Sequence, residues 1–254
     1  MKQQFRTHVS AGVAELIIDS PPVNALDSAG WRALGVEIDR LNGDAEVRVI
    51  VVRAEGKGFC AGVDIKELQA HPGRIVEVNA GNYETFRALH RGLKPAIVAV
   101  HGYVLGGGIG ICGSADIVLA APDARFGVPE VDRGALGAGA HLQRMFPLQK
   151  VRRMYFTGET VDAGEAYRLG AVERVVPRER LREEALELAR RIAAKSPTMI
   201  RLAKEALNGV EDGDLERHYR WEQGFTAQAY LTAESQEARD AFVQKRDADF
   251  GRKT

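Results

Sequence analysis

The chain has only two cysteines, Cys60 and Cys112, so no disulfide framework can staple its 254 residues. Such scarcity fits a reducing compartment and points to a cytoplasmic protein. Net charge is missing as well, since 35 Lys and Arg balance 35 Asp and Glu. No global field therefore draws the chain to DNA, RNA or an anionic membrane. No apolar run approaches the roughly 18–20 residues of a membrane span, and the opening MKQQFRTHVS lacks a signal-peptide core. The histidines and cysteines form no HExxH or CxxC spacing, so no metal is expected. Low-complexity segments and internal repeats of roughly 20–50 residues are absent too. What remains is an ordinary globular composition, 45% hydrophobic and 28% charged, with length enough to bury a sizeable core.

Hydrophobic periodicity divides the chain. AELIID (14–19) is a short apolar run that stops at the two prolines of SPPVNALD. Beyond Asp27, Trp31, Leu34, Ile38 and Leu41 recur at three- and four-residue spacing, with Asp27 or Ser28 as N-cap. VRVIVVRAEG (47–56), PAIVAVHG (95–102) and ADIVLAAP (115–122) read as buried strands alternating with helices, an α/β pattern. From about Asp162 strands thin out and helical segments run towards Phe250. The expected layout is an α/β body over 1–195 and a helical region over 196–254.

GGGIGICGSAD (106–116) poses a sharper question, because Gly108, Gly110 and Gly113 satisfy G-x-G-x-x-G. A dinucleotide fingerprint needs its glycines between a strand and a crossover helix. Here HGYVLGG intervenes after the strand, and IVLAA starts four residues beyond Gly113. That leaves about two helical turns, too few for such a crossover. No Gly-Lys-Ser/Thr follows either, which excludes a Walker loop. Tight helix–strand packing is the plainer role for these glycines.

Two other segments share the glycine-rich character: GKGFCAGVDIKEL (56–68) and FGVPEVDRGALGAGAHLQR (126–144). Together the three resemble the crotonase superfamily, the enoyl-CoA hydratase/isomerase family. The resemblance extends from PPVNALD through RRMYFTGETVDAGEAYRLGAVERVV to ARDAFVQKRDADF. It implies a crotonase (ClpP-like) spiral of ββα units and a C-terminal helical region that forms homotrimers, often paired into hexamers. It also implies an acyl-CoA substrate whose enolate oxygen is held by two backbone N–H groups, with CoA part of the substrate and no further cofactor. The matching donors are Val63, after CAG, and Gly107, in the middle of GGG. Glycine at 107 would let the backbone approach the thioester without a Cβ in the way, with a helix N-terminus behind it.

Hydratases of this family share a water between two glutamates. The matching positions are Gly110 and Glu130, so one carboxylate is absent. A single carboxylate can still shuttle a proton between carbons, as isomerases of the family do. Outside this motif Glu130 would be read as a surface glutamate after a proline. His141 stands where glycine is usual and could activate water near neutral pH, a structural histidine being the plainer alternative. Asp132 is a weaker candidate, since an Asp-Arg pair there reads as a solvated turn, and Cys60 reads as packing. By the same resemblance Ala25 and the backbone of Ala61, Asp64 and Ile65 line the CoA path. Phe242 and Lys245 match tail residues that reach CoA from a neighbouring subunit, against a solvated helix face for Lys245.

Within the family, GGGIG, GVPEVDRGALGAGAHLQRMFP and YRWEQGFT look like the crotonases that open a steroid-derived fused ring. Those enzymes likewise carry glycine at the 110 position and histidine at the 141 position. Glycine at 110 is then expected to free space for a bulky ring. A one-glutamate isomerase or hydratase of fatty-acid-type catabolism is the alternative. A non-catalytic CoA- or RNA-binding protein is a third, disfavoured for RNA by the lack of aromatic-plus-basic stripes.

Overall fold

A computed structural model describes residues 4–211 and 214–249; Phe250 lies outside the described residues. The chain opens with β1 (Phe5–Ser10), β2 (Val13–Ile18), β3 (Ala25–Leu26) and α1 (Ser28–Gly43). A second turn follows with β4 (Val49–Ala54), β5 (Gly62–Val63), α2 (Ile65–Ala70) and α3 (Ile75–His90). The third contains β6 (Ala96–Val100), β7 (Tyr103–Leu105) and α4 (Gly107–Ser114). The fourth has β8 (Ile117–Ala120), β9 (Arg125–Gly127), a 3-10 turn at Pro129–Arg133, α5 (Gly139–Met145) and α6 (Leu148–Thr157). A looser turn adds β10 (Val161–Asp162), α7 (Ala163–Arg168), β11 (Arg174–Val175) and α8 (Arg178–Ala193). Last come α9 (Pro197–Val210), α10 (Leu215–Tyr230) and α11 (Ala233–Gln244).

The first turn gives a hairpin, and the next three one strand each, to a large sheet ordered β1-β2-β4-β6-β8-β11, and each of the four gives one short strand to a second stack. The β1/β2 hairpin is antiparallel and every later junction of the large sheet is parallel. In the second stack β3 pairs with β5, β7 pairs with β9, and a Cys60–Val104 bridge joins the two pairs. The ββα spiral is therefore real, and β7 between β6 and α4 separates it from a dinucleotide fold.

Strand alternation explains the two cores. Ile50 and Val52 of β4 face inward with Trp31, Leu34 and Phe86, whereas Val49 and Val51 face α8. A sheet covered on both sides needs continuous apolar strands, as VRVIVVRAEG shows. On α8 the contact face is Leu181, Ala185, Ala189 and Ala193, spaced by four residues. Asp27 caps α1, its carboxylate accepting from the Gly30 N–H at 2.7 Å. The helical tail is fastened to the body by buried Lys204, whose Nζ donates to Leu89 and Lys94 carbonyls and to Asp116. None of the described helices is long and apolar enough to cross a membrane.

Candidate active site

The site begins where β5 and α4 touch. Gly62 has φ +89°, and a Cβ there would lie 3.3 Å from the Gly107 nitrogen and 3.3 Å from the Leu105 carbonyl. Only glycine meets both demands. Gly107 opens α4, and first-turn N–H groups of a helix have no acceptor within it. The next N–H along from Val63, that of Asp64, donates to the Leu26 carbonyl at 2.9 Å. Val63 and Gly107 border one cavity. A Cβ on Gly107 would collide with the Trp31 indole, so this glycine is demanded by packing behind the helix. That corrects the expectation that it clears the path of a ligand.

Glu130 reaches the same cavity from the Pro129–Arg133 turn. Its Oε1 packs onto Gly106, where any Cβ would collide with it. Its Oε2 is buried without a protein hydrogen-bond partner among the described residues. Burial pushes this carboxyl up to about 7; the Arg133 charge opposes the rise and the Glu222 charge adds to it. The cavity measures about 40 Å³ and is closed by Val78, Asn82 and Phe86 of α3, residues 135–138, and Tyr219, Thr226 and Tyr230 of α10. Clefts of about 950 and 550 Å³ lie elsewhere, and neither is lined by Val63, Gly107 or Glu130.

Two expected residues stand behind this wall. A Cβ on Gly110 would fall inside the Phe86 ring, so the missing glutamate side chain leaves no room for substrate. Phe86, from another helix, already fills that space. The His141 ring is 1% exposed and packs against Phe86 and Tyr219, 4.7 Å from each ring centre, the two rings also touching each other. Burial pushes its pKa down to about 3, which keeps the imidazole neutral, and it does not border the cavity. Asp132 is exposed and packs on Gly158. The Cys60 thiol is buried and pushed up to about 12, so it is inert.

The other expected positions form a partly exposed margin. Ala25 pairs with Gly62, the Ala61 N–H donates to the Val23 carbonyl at 3.2 Å, and Asp64 caps α2, which starts at Ile65. Phe242 lies under the Arg133 guanidinium of its own chain, 4.8 Å from the ring centre. Lys245 is the left-handed C-cap of α11, which packs on α2 through Gln69 and Asp240 at 3.4 Å. The tail thus folds onto its own body. Among the described residues no group of three or more His, Cys, Asp or Glu could hold a metal ion.

Three site residues were not among the sequence candidates. Asn82 and Tyr219 line the cavity, with the side-chain amides of Gln223 and Asn82 beside the Tyr219 hydroxyl. Glu222 accepts from the N–H groups of Gly139 and Ala140, at 2.6 and 2.9 Å, and from the Tyr155 hydroxyl at 3.1 Å. It thereby fixes the end of the 135–138 roof, where Ala138 holds φ +57°. Asn82 carried a signal in the sequence: it interrupts an apolar stripe of Ile75, Val78, Phe86 and Leu89 at helical spacing.

A family model described as enoyl-CoA hydratase/isomerase matches residues 8–253. A Mycobacterium tuberculosis protein named (7aS)-7a-methyl-1,5-dioxo-2,3,5,6,7,7a-hexahydro-1H-indene-carboxyl-CoA hydrolase is 45% identical, over 92% of this chain and 96% of its own. Its namesake from Rhodococcus jostii is also 45% identical, over 92% and 91% of the two chains. An enoyl-CoA hydratase/isomerase structure from Xanthobacter autotrophicus superposes with a TM-score of 0.87 at 26% identity, covering 96% of this chain and 93% of that one.

Proposed function

The chain belongs to the enoyl-CoA hydratase/isomerase family, and from that premise we propose that it opens a ring of a fused-ring keto acyl-CoA by hydrolysis of a carbon–carbon bond. The observation that carries this reading is 45% identity, over more than nine-tenths of both chains, to a hydrolase of a dioxo-indene-carboxyl-CoA. Breakdown of a steroid-derived nucleus is the fitting context. In this reading the thioester oxygen lies between the N–H groups of Val63 and Gly107. Glu130, as carboxylate, takes a proton from water while the water oxygen attacks a ring carbonyl. The bond from that carbonyl carbon to its ring neighbour then breaks. Its electron pair delocalises to the thioester oxygen, where each donor contributes about 3 kcal/mol. Protonated Glu130 returns the proton to carbon, and one ring becomes a carboxylate-bearing arm. One water is consumed and nothing is oxidised. A carboxyl poised near 7 suits both proton transfers.

His141 supports the site from behind, packed against both Phe86 and Tyr219, and transfers no proton. The CoA moiety lies along Ala25, Ala61, Asp64 and Ile65, with Phe242 and Lys245 at its far end. Self-association as a homotrimer or a pair of trimers is supported by the exposed Phe156 and Trp221 along the 550 Å³ cleft.

Mass spectrometry of a bicyclic dioxo-carboxyl-CoA incubated with the enzyme tests the reaction. The expected product has gained one water, a new carboxylate and lost one ring. A hydrated alkene with both rings intact, or turnover of linear enoyl-CoA alone, returns the chain to a one-glutamate hydratase or isomerase.

A further inference from the structure

Water must be held as well as deprotonated, and among the described residues only one carboxylate borders the cavity. Gly110 offers nothing, and Phe86 bars any route from α4. Asn82, on α3, is nine-tenths buried, borders the same cavity as Glu130, and has no protein partner for its Oδ1 among the described residues. The Asn82 and Gln223 side chains lie beside the Tyr219 hydroxyl, and Gln223 Nε2 donates to the Asn79 carbonyl at 2.6 Å. The cavity therefore presents two buried acceptors, Asn82 Oδ1 and Glu130 Oε2, neither paid for by protein. Its 40 Å³ exceeds the roughly 10–15 Å³ a cavity needs to hold a water.

We propose that Asn82 is the second holder of the hydrolytic water, accepting one of its hydrogens while Glu130 accepts the other. This rests on the ring-opening reading and assigns the missing half of its water site to a different helix. With both hydrogens directed at acceptors, the oxygen lone pair is aimed at the ring carbonyl. The proton bound to Glu130 is the one transferred; the one bound to Asn82 stays with the new carboxyl group until release. An amide cannot take it, so Asn82 orients and Glu130 alone moves protons.

The test separates water holding from proton transfer. Asn82→Leu keeps the size and removes the acceptor; Asn82→Asp restores one at the same place. Two reactions are followed: ring opening of the bicyclic dioxo-carboxyl-CoA, and exchange of the α-hydrogens of butyryl-CoA in D2O, which needs no attacking water. Asn82→Leu is expected to lose about 10²-fold in ring-opening kcat, with exchange within about threefold of wild type. Asn82→Asp is expected to recover at least about a tenth of the lost turnover, and Glu130→Gln to lose both reactions. An Asn82→Leu enzyme that opens the ring at the wild-type rate overturns the proposal. So does one that loses exchange in parallel while Asn82→Asp does the same, which would mark Asn82 as structural. A wild-type enzyme that leaves the bicyclic thioester intact overturns the ring-opening reading itself, and the role of Asn82 with it.

Discussion

The two walls of the active site are made in different ways. The wall bearing Val63 and Gly107 is backbone, set by β5, the start of α4 and the Gly62 contact between them. The opposite wall is side chains, Glu130, Asn82 and Tyr219, delivered by a 3-10 turn and two helices far apart in sequence. A backbone wall is fixed by glycines that cannot be exchanged; a side-chain wall can be rewritten one residue at a time. Chemistry common to a family belongs on the first, and chemistry particular to one substrate on the second.

The sharpest way to break this contrast is at Gly107. Gly107→Pro and Gly107→Ala add the same Cβ against Trp31, but only proline removes the N–H. The proline variant should be inactive, and the alanine variant should turn over about 10²–10³ times faster than it. Equal rates in folded protein would move the donor elsewhere. On the other wall, Glu130→Gln should lower turnover by about 10²–10⁴ and leave CoA affinity within a few-fold, as measured by kcat and by calorimetry. Wild-type kcat should rise with pH through about 7 as Glu130 becomes a carboxylate. Its stability should move the other way. The folded state holds the Glu130 proton up to about 7 and the unfolded state only to its ordinary 4.5, so stability is lost as pH climbs between them. Glu130→Gln lacks that loss and should melt above wild type at pH 8, the gap closing towards pH 4.5.

Crotonyl-CoA should hydrate at no more than about a hundredth of the ring-opening rate, because only one acid borders the site. Comparable rates would mean that the amide of Asn82 serves hydration as well as a carboxylate. The smallest effect is expected at Gly110. Gly110→Ala drives a Cβ into the Phe86 ring and should cost about 1–3 kcal/mol in denaturant unfolding, relieved by adding Phe86→Leu. A neutral Gly110→Ala would mean that Phe86 swings aside easily, and the space behind it would then be open to substrate after all.

Legibility in the sequence followed the same division. Asp27 with Trp31, Leu34, Ile38 and Leu41 declared α1, and the β-branched run of 47–56 declared a central strand, because local periodicity decides both. The backbone donors were readable because glycine leaves a mark at the position where the chain needs it. Gly110 misled for a physical reason: a missing side chain shows what is absent, whereas Phe86, 24 positions earlier, decides what fills the space. His141 was placed by motif beside the chemistry, but burial against two rings depends on α3 and α10 meeting, which no local pattern records. Glu222, on α10, was invisible as the clamp on Gly139 and Ala140, 82 residues away.

The Cys60–Val104 bridge has a consequence for how such an enzyme can be altered. It ties the segment leading to Val63 to the segment leading to Gly107, each donor lying three residues past a bridged residue. The register of the two donors is therefore set by backbone pairing and not by any one side chain. An engineer seeking a wider or narrower cradle for the thioester oxygen has no handle on it. Single-residue changes on the opposite wall, at Glu130, Asn82 or Tyr219, leave that pairing untouched.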